Sequence, residues 1–212
     1  MKPYYEDDYV TLYYGDCREL LPDIEADAVV MDPPYGMGVA DWDGSTPYDL
    51  INAIVASVPG TALSFGAGAR LSDDLPAYEP RPDRVLVWAP KFRLGKSAAN
   101  GIAYRWHPIF CWRLPKSHVG GPVWDVLDHG TEGHQFWFHP GTKPVSLMRQ
   151  LMPLTEGTIF DPFAGSGSTL IAAKSLNRKA IGIEIEERYC EVAATRLRQE
   201  VLGLDAGVVS ST

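Results

Sequence analysis

The sequence of 212 residues is 45% hydrophobic and 22% charged, which is typical of one globular domain and excludes a disordered or fibrous chain. No apolar run approaches the ~20 residues that a membrane helix requires, and the acidic start MKPYYEDDYV is unlike a secretory signal. Three scattered cysteines and five histidines without ligand spacing exclude a disulfide or zinc framework, so we expect a cytoplasmic protein without a metal.

β-Rich and helical segments alternate along the chain, which is the pattern of an α/β sheet. Strands are predicted at 10–14, 26–31, 61–65, 84–90, 102–113, 158–160 and 179–185. Helices are predicted at 18–23, 46–58, 143–152, 166–177 and 187–203. Ser45 or Thr46 is the expected N-cap of the second helix. The sequence has no repeat or linker, and we therefore expect residues 1–212 to form a single domain.

The net charge of −8 is unevenly distributed, and the middle of the chain is strongly basic. Residues 81–118 carry eight Lys and Arg side chains against one acid, whereas residues 1–80 carry three basic and 15 acidic side chains. Binding to phosphates requires a local positive face rather than a positive total, and this segment supplies one. A solvated basic hairpin is the alternative. The residues expected to contact nucleic acid are Lys91, Arg93, Lys96, Arg105 and Lys116.

A glycine-rich turn, DPFAGSGSTL at Asp161–Leu170, follows a predicted strand and opens a helix. Gly165 and Gly167 allow the backbone to approach a ligand closely, and the first N–H groups of the helix point toward it. Glu184 ends the next strand, where a carboxylate suits the two hydroxyls of a ribose. No lysine follows the glycines, which excludes a triphosphate-binding P-loop. A tight turn with a satisfied acid is the structural alternative.

A second motif, VVMDPPYG at Val29–Gly36, places a carboxylate directly after a buried strand. Open α/β sheets bind their ligands at this carboxyl edge of the strands. The two prolines lack an N–H group and fix the backbone, so the Pro33 carbonyl stays available as an acceptor. Asp32 and this carbonyl suit the two N–H groups of a planar amine, with the Tyr35 ring stacked on it. The alternative is a proline-rich turn capped by an acid.

Together these motifs resemble those of the amino-methylating DNA methyltransferases, which modify N6 of adenine or N4 of cytosine with S-adenosylmethionine (AdoMet). DPPY at 32–35 is similar to their catalytic motif, and DPFAGSGST at 161–169 is similar to their AdoMet-binding motif. HPGTKPVSLMRQLM at 139–152 resembles the segment that helps to hold the methionine end, where the family usually has HPTQKP. Over most of residues 10–200, the motif order is that of the family's β group.

The resemblance implies a role for each matching residue. The implied catalytic residues are Asp32, Pro33, Pro34 and Tyr35. AdoMet contacts are implied for Asp16, Cys17, Asp32, Lys143, Pro144, Asp161, Phe163, Ala164, Gly165, Ser166, Gly167, Ser168, Thr169 and Glu184. Hydrogen bonds from the amine to Asp32 and the Pro33 carbonyl would localise the nitrogen lone pair of a flipped-out base for in-line attack on the methyl group. No covalent intermediate or metal is required, and no cysteine has the setting of a C5-methylating nucleophile.

The implied fold is a Rossmann-like α/β domain with a mostly parallel seven-stranded sheet, an antiparallel hairpin and helices on both faces. Residues 91–138 are the expected target-recognition region. This region is short for the family, which indicates a short DNA target or a homodimer that shares its DNA contacts. The glycine-rich loop at 36–45 is expected to act as a lid, with Trp42 stacking on the substrate.

Adenine N6 in double-stranded DNA is the favoured target, because DPPY is commoner in the adenine enzymes of this family and SPPY in the cytosine enzymes. N4 of cytosine is the alternative, and restriction–modification is the expected setting. Two hypotheses change the class: a catalytically silent AdoMet-binding regulator on DNA, and an amine methyltransferase of RNA or protein. The intact DPPY argues against the regulator, and the basic segment favours nucleic acid over protein.

Overall fold

The computed structural model describes residues 2–38, 43–90, 105–116, 122–130 and 141–205. The strands in these ranges are β1 Tyr5–Glu6, β2 Val10–Tyr14, β3 Ala28–Met31, β4 Ala62–Phe65, β5 Arg84–Trp88, β6 His107–Trp112, β7 Val126–Leu127, β8 Ile159–Asp161 and β9 Ala180–Glu184. The α-helices are α1 Cys17–Leu20, α2 Tyr48–Ser57, α3 Leu71–Ala77, α4 Val145–Leu151, α5 Ser168–Ser175 and α6 Glu187–Asp205. None of these helices is long and apolar enough to cross a membrane.

The strands of the described residues form one sheet in the order β1-β2-β9-β8-β3-β4-β6-β5-β7. Five neighbours, β2, β9, β8, β3 and β4, are parallel, whereas β6 runs antiparallel to both β4 and β5. The two-residue strands β1 and β7 extend the two edges of a seven-stranded core. The expected fold, a mostly parallel seven-stranded sheet with an antiparallel pair, is confirmed.

The sheet is covered by helices on both faces, as the burial of its central strands requires. Every residue of β3 and of β4 is buried. Val30 packs in one apolar cluster with residues of α4, α5 and α6, whereas its neighbours Val29 and Met31 pack in another with residues of α2. Because successive side chains of a strand point to opposite faces, these two clusters lie on opposite sides of the sheet.

The structure differs from the predicted elements at three short segments and at one helix cap. Helix α3 and the strands β1 and β7 were not expected, since seven- and two-residue elements are too short for a clear periodic pattern. The N-cap of α2 is Pro47, without a side-chain hydrogen bond, so the expected cap at Ser45 or Thr46 is wrong. The chain turns there through its backbone, because the Tyr48 N–H donates to the Thr46 carbonyl at 3.1 Å.

The direction of the strands positions the candidate site. Because β2, β3, β8 and β9 are parallel, the segments that follow them all emerge at the same edge of the sheet. Strand β6 runs the other way, so its first residue, His107, lies at this edge and its last residue, Trp112, lies at the opposite edge. Both motifs singled out in the sequence therefore end at the same edge.

Candidate active site

A cleft of about 840 Å³ opens at the carboxyl edge of the parallel strands. The predicted catalytic and cofactor residues that line it are Asp16, Cys17, Asp32, Pro33, Pro34, Tyr35, Lys143, Asp161, Phe163, Ala164, Gly165, Ser166, Ser168, Thr169 and Glu184. Pro144 and Gly167 lie outside the lining and occupy the N-cap positions of α4 and α5. The structure thus brings together residues that are up to 168 positions apart in the chain, from Asp16 to Glu184.

The Asp32 carboxylate has a hydrogen-bond partner on each of its oxygens. The Tyr35 hydroxyl donates to Oδ1, and the Lys143 ammonium donates to Oδ2 as an ion pair. Burial and the negative charge of Asp32 raise the pKa of Tyr35 well above its usual value, so the hydroxyl remains a donor. Since a carboxylate oxygen has two lone pairs, each oxygen of Asp32 can still accept one further N–H group.

Lys143 joins the catalytic carboxylate to two aromatic rings. Its side chain is only 6% exposed, and Nζ lies 5.4 Å from the centroid of the Tyr35 ring and 5.3 Å from that of Phe65. The Gly141 carbonyl accepts a further hydrogen bond at 3.3 Å. A buried ammonium needs such compensation, since its desolvation is costly. The resemblance implied a cofactor contact for Lys143, and its contact with Asp32 is an additional finding.

His107 extends the aromatic surface beside Tyr35. Its ring stacks on Trp88, with centroids 5.0 Å apart and planes at 26°, and its centroid lies 6.4 Å from that of Tyr35. Burial and the positive charge of Lys143 lower the pKa of His107 to about 4, so the imidazole is neutral at neutral pH. The sequence analysis gave His107 no role. The strand it begins, β6, lies within the range 91–138 that was expected to recognise the target.

The glycine turn is shaped by its backbone and supported by the last helix. Gly165 and Gly167 adopt positive φ values of 51° and 81°. A Cβ atom on Gly167 would lie 3.0 Å from the Cβ of Ala193 on α6, which is closer than nearly all real contacts. Arg196, also on α6, donates to the Ser166 carbonyl at 2.6 Å and to its hydroxyl at 3.0 Å. Glycine is therefore required at 167 for both conformation and packing.

Two buried carboxylates, Glu184 and Asp161, border this turn. Glu184 accepts the Gly165 N–H at 2.7 Å and the Glu186 N–H at 2.8 Å, and burial raises its pKa. Asp161 accepts the Phe163 N–H at 3.1 Å, and burial raises its pKa to about 7. Both carboxylates therefore stabilise the turn through backbone N–H groups, and the second lone pair on each Glu184 oxygen remains available to a ligand.

Two cleft residues were missed by the sequence analysis. Ile185 is 53% exposed, which is unusual for a large apolar side chain directly after a buried strand. The sequence signal was available, because Ile185 follows the predicted ribose-binding acid, Glu184. Asp43 is buried beside the turn at 32–38, which carries the DPPY motif and is called the catalytic turn. Asp43 also lines the cleft. No local pattern distinguished Asp43 from Asp41, the other acid of the loop at 36–45.

The structure argues against thiol chemistry at this site. Asp16 accepts the Arg18 N–H at 2.9 Å and caps α1, which buries the neighbouring Cys17. Burial raises the pKa of Cys17 to about 11, so its thiol is protonated at neutral pH. Cys111 and Cys190 are also buried, and burial raises the pKa of each to about 12. In the described part of the chain, no three His, Cys, Asp or Glu side chains are grouped as a metal site would require.

The basic residues expected to contact nucleic acid do not form a single surface. Arg105 is exposed and precedes β6 at the edge of the cleft. Lys116 is also exposed, but it lies beside Gly60 and Gly157 at the amino ends of the parallel strands. Because β6 is antiparallel, it separates these two side chains by roughly the 20 Å length of a six-residue strand. The position of Lys116 does not fit a contact with DNA bound at the cleft. Lys91, Arg93, Lys96 and the expected lid residue Trp42 lie outside the described residues.

Arg113, another member of the basic segment, has a structural role. Its guanidinium donates to the backbone carbonyls of Val55 at 2.6 Å, Val58 at 3.2 Å and Gly60 at 2.8 Å. These contacts satisfy carbonyls at and just beyond the C-terminus of α2, which have no partner within the helix. Part of the positive charge of 81–118 is therefore used inside the fold. Fewer basic side chains are available to bind phosphates than the composition of this segment predicts.

The chain matches the N6/N4 methyltransferase family model, described as DNA methylase, over residues 88–195. It is 39% identical over 249 aligned positions to the type II methyltransferase M2.LlaDCHI of Lactococcus lactis subsp. cremoris, with 93% of each chain covered. It is 24% identical to the type II methyltransferase M.ScaI of Streptomyces caespitosus, covering 96% of this chain and 86% of the relative. The family model thus spans the glycine turn, while the longer alignments span most of the chain.

The fold is also similar to those of solved DNA methyltransferases. The crystal structure of the M1.HpyAVI–SAM complex matches with a TM-score of 0.69 and 22% identity, covering 89% of this chain and 98% of that one. PvuII DNA methyltransferase, described as cytosine-N4-specific, matches with a TM-score of 0.65 and 17% identity, covering 92% of this chain and 88% of that one. Because both sequence identities are low, these two matches show that the folds are similar and nothing further.

Proposed function

The chain belongs to the N6/N4 DNA methylase family of AdoMet-dependent enzymes, and we propose that it methylates N6 of adenine in double-stranded DNA. The observation that carries this proposal is the placement of Asp32 and Pro33 in one cleft with the glycine turn at 161–167. An amine bound at the first two residues and a cofactor bound at the turn would meet in that cleft. Such proximity supplies much of the rate enhancement of a two-substrate reaction.

The cleft suits AdoMet in size and in chemistry. Its volume of about 840 Å³ is that of a typical ligand pocket. Glu184 offers carboxylate lone pairs to the ribose hydroxyls, and the exposed side chain of Ile185 offers an apolar surface to the adenine ring. The Lys143 ammonium suits the methionine carboxylate. When bound, AdoMet supplies an electrophilic sulfonium methyl group.

The residues of the catalytic turn would activate the amine. An exocyclic amine is a weak nucleophile because its lone pair is delocalised into the ring. Hydrogen bonds from its N–H groups to Asp32 and the Pro33 carbonyl favour a pyramidal nitrogen with a localised lone pair. As the N–C bond forms and the C–S bond breaks, positive charge develops on nitrogen, and these fixed acceptors stabilise it. The nitrogen then loses one proton, for which Asp32 is the adjacent acceptor.

The aromatic residues at the cleft suit a base that has left the helix. The amine is inaccessible inside a duplex, so the base must be flipped out at a cost of a few kcal/mol. Stacking on Tyr35 would offset about 1–3 kcal/mol of this cost. His107, which is stacked on the buried Trp88, continues the aromatic surface away from Tyr35. Arg105 lies at the same edge, where a positive charge would favour the neighbouring phosphates.

The choice of adenine rests on the first residue of the catalytic motif. Asp32 is the first residue of DPPY, and many cytosine enzymes have SPPY, with a serine at this position. The carboxylate of Asp32 is a stronger acceptor than a serine hydroxyl. The same pair of acceptors can hold either amine, so N4 of cytosine is the alternative target. The relatives named type II methyltransferases support a setting in restriction–modification.

The proposal is tested by methyl transfer from labelled AdoMet to unmethylated genomic DNA, followed by mass spectrometry of the nucleosides. Genomic DNA offers every short target sequence, so the recognition site need not be known. We expect N6-methyladenine. N4-Methylcytosine would move the target base and leave the mechanism unchanged. A protein that binds AdoMet but labels no base in DNA would contradict the proposal and favour an RNA substrate or a silent regulator.

A further inference from the structure

Asp43 is a buried carboxylate, 1% exposed, that follows the catalytic turn in the chain. Its Oδ1 accepts the backbone N–H of Tyr35 at 2.7 Å and that of Gly36 at 2.8 Å, and its Oδ2 accepts the N–H of Met37 at 3.1 Å. The Gly38 N–H donates to the Asp43 backbone carbonyl at 3.1 Å. The four backbone N–H groups after the two prolines are thus all bound by one residue. We call this arrangement the Asp43 clasp.

Hydrogen bonds compensate for the burial of the Asp43 carboxylate. A buried carboxylate is stable only when hydrogen bonds replace its lost hydration, and three successive N–H groups provide them. Successive N–H groups that converge in this way form an anion-binding nest, here filled by the chain's own side chain. The turn also requires glycine at 36, where φ is +68° and a Cβ would lie 3.1 Å from the Ser45 Cα. Backbone conformation, packing and charge therefore fix the same segment.

We propose that Asp43 is a positioning residue for methyl transfer, acting through the catalytic turn; this inference rests on the proposed function. The Tyr35 N–H belongs to the peptide group that Tyr35 shares with Pro34. Fixing that peptide group restricts the rotation of the adjacent Pro33 carbonyl, the proposed amine acceptor. The Tyr35 hydroxyl donates to Asp32, so a fixed Tyr35 backbone also orients the second acceptor. Asp43 thereby sets the geometry of both acceptors.

The chain offers a matched control at Asp7. Its Oδ1 accepts the N–H groups of Tyr9 at 2.9 Å and Val10 at 2.8 Å, and its Oδ2 accepts the Lys174 ammonium at 2.5 Å. This turn precedes β2, so it lies at the amino edge of the sheet, away from the cleft. Asp7→Ala therefore removes a comparable set of hydrogen bonds without affecting the catalytic turn.

The kinetic test compares Asp43→Ala, Asp43→Asn and Asp7→Ala. We expect Asp43→Ala to lower kcat by about 10²-fold, the effect of misplacing a reacting group by ~1 Å. Asp43→Asn keeps one acceptor oxygen and should lose less. The Kd for AdoMet should stay within about threefold in both, because the four hydrogen bonds of the clasp all lie within residues 35–43. Asp7→Ala should lower Tm and leave kcat within about threefold.

Amide hydrogen exchange tests the clasp independently of turnover. Because prolines have no N–H group, residues 33–38 contain only four exchangeable amides, and Asp43 accepts from all four. Three of them, those of Tyr35, Gly36 and Met37, bind the carboxylate. We expect Asp43→Ala to accelerate the exchange of these three by at least about tenfold, the loss of one hydrogen bond to a charged group, and Asp7→Ala to leave it unchanged. The Gly38 amide binds the backbone carbonyl of residue 43, which both variants keep.

The outcomes separate this inference from the proposed function. Slow exchange in a wild-type protein that methylates no DNA base would contradict the proposed function alone. Normal kcat in folded Asp43→Ala or Asp43→Asn, despite faster exchange, would overturn the positioning role. Equal losses of kcat in Asp43→Ala and Asp7→Ala, at equal Tm, would also overturn it by assigning the effect to stability. If Asp43→Ala does not fold, the same measurements of kcat and amide exchange on Asp43→Asn decide the outcome.

Discussion

The catalytic turn at 32–38 and the glycine turn at 161–167 follow adjacent parallel strands and reach the same cleft, yet they are fixed by different means. Charged side chains fix the first turn: Lys143 binds the Asp32 carboxylate, and Asp43 binds the backbone beyond it. The second turn depends on two glycines with positive φ, and side chains outside the turn support its backbone: Glu184 accepts the Gly165 N–H, and Arg196 donates to the Ser166 carbonyl.

This difference indicates how the two turns divide the reaction. The first turn carries the proposed acceptors for the amine, so the same side chains would serve both local structure and chemistry. The second turn carries the backbone groups proposed to contact the cofactor, and its supporting side chains lie on β9 and α6. We therefore expect substitutions at the first turn to lower turnover at normal cofactor affinity, and substitutions behind the second to lower cofactor affinity at normal turnover.

Asp32→Ala should have the largest effect and tests the first half of this comparison. Removing one fixed group that stabilises transition-state charge typically lowers kcat by about 10²–10³-fold, and we expect at least this loss. The Kd for AdoMet should change much less than kcat, because the glycine turn and Glu184 remain in place. Isothermal titration with AdoMet and single-turnover methyl transfer measure the two quantities separately.

The substitution also leaves Lys143 without its carboxylate partner, which destabilises the protein. Asp32→Asn retains the volume and one acceptor oxygen, so it serves as the control for folding. Near-normal turnover in folded Asp32→Ala would be incompatible with Asp32 as the amine acceptor, and the loss in Asp32→Asn should be smaller.

Glu184→Ala should weaken AdoMet binding and leave turnover nearly unchanged, which is the reverse of Asp32→Ala. The effect should also be smaller. It removes the acceptor for the Gly165 N–H and the proposed ribose contact, so we expect the Kd for AdoMet to rise by about 10–100-fold. At saturating AdoMet, kcat should stay within about threefold of the wild-type value. Glu187→Ala, an exposed acid on the first turn of α6, is the control and should leave both constants unchanged. A large loss of kcat at saturating AdoMet would contradict the division between the two turns.

Both turns could be predicted from the sequence. The glycine turn and DPPY are local motifs whose backbone requirements are written in consecutive residues, and each was predicted at the end of the correct strand. The strands of the core were predicted for the same reason, since periodicity is a local property. Glu184 was predicted because it ends the strand after the glycine turn.

Contacts between distant segments could not be predicted from local patterns. The contact between Lys143 and Asp32 spans 111 positions, and nothing near either residue specifies it. The position of Lys116 depended on the antiparallel direction of β6, which periodicity does not encode. Asp43 is one of two acids in a glycine-rich loop, the other being Asp41. Its role depends on four N–H groups that converge only in the folded turn.

The last prediction concerns His107, the first residue of β6, and it affects the stability of the fold rather than turnover. Its ring is packed on Trp88, its Nδ1 lies 3.3 Å from the Gly66 carbonyl, and it faces the charges of Lys143 and Asp32. Burial and Lys143 lower its pKa from 6.5 to about 4, while Asp32 acts in the opposite direction. The folded protein therefore holds a neutral imidazole at pH values where the unfolded chain binds a proton.

Because the folded pKa lies below the unfolded one, the stabilisation is complete above about pH 6.5 and is lost as the pH falls toward 4. We expect urea unfolding to show that His107→Gln loses less stability than the wild type between pH 7 and pH 4. The losses of unfolding free energy in the two proteins should differ by roughly 3 kcal/mol at most over this range. Identical losses would mean that folding does not lower the His107 pKa, whereas a smaller loss in the wild type would mean that Asp32 pairs with His107 as a cation. In that case the aromatic surface beside Tyr35 would carry a positive charge, and it would suit a phosphate better than a neutral base.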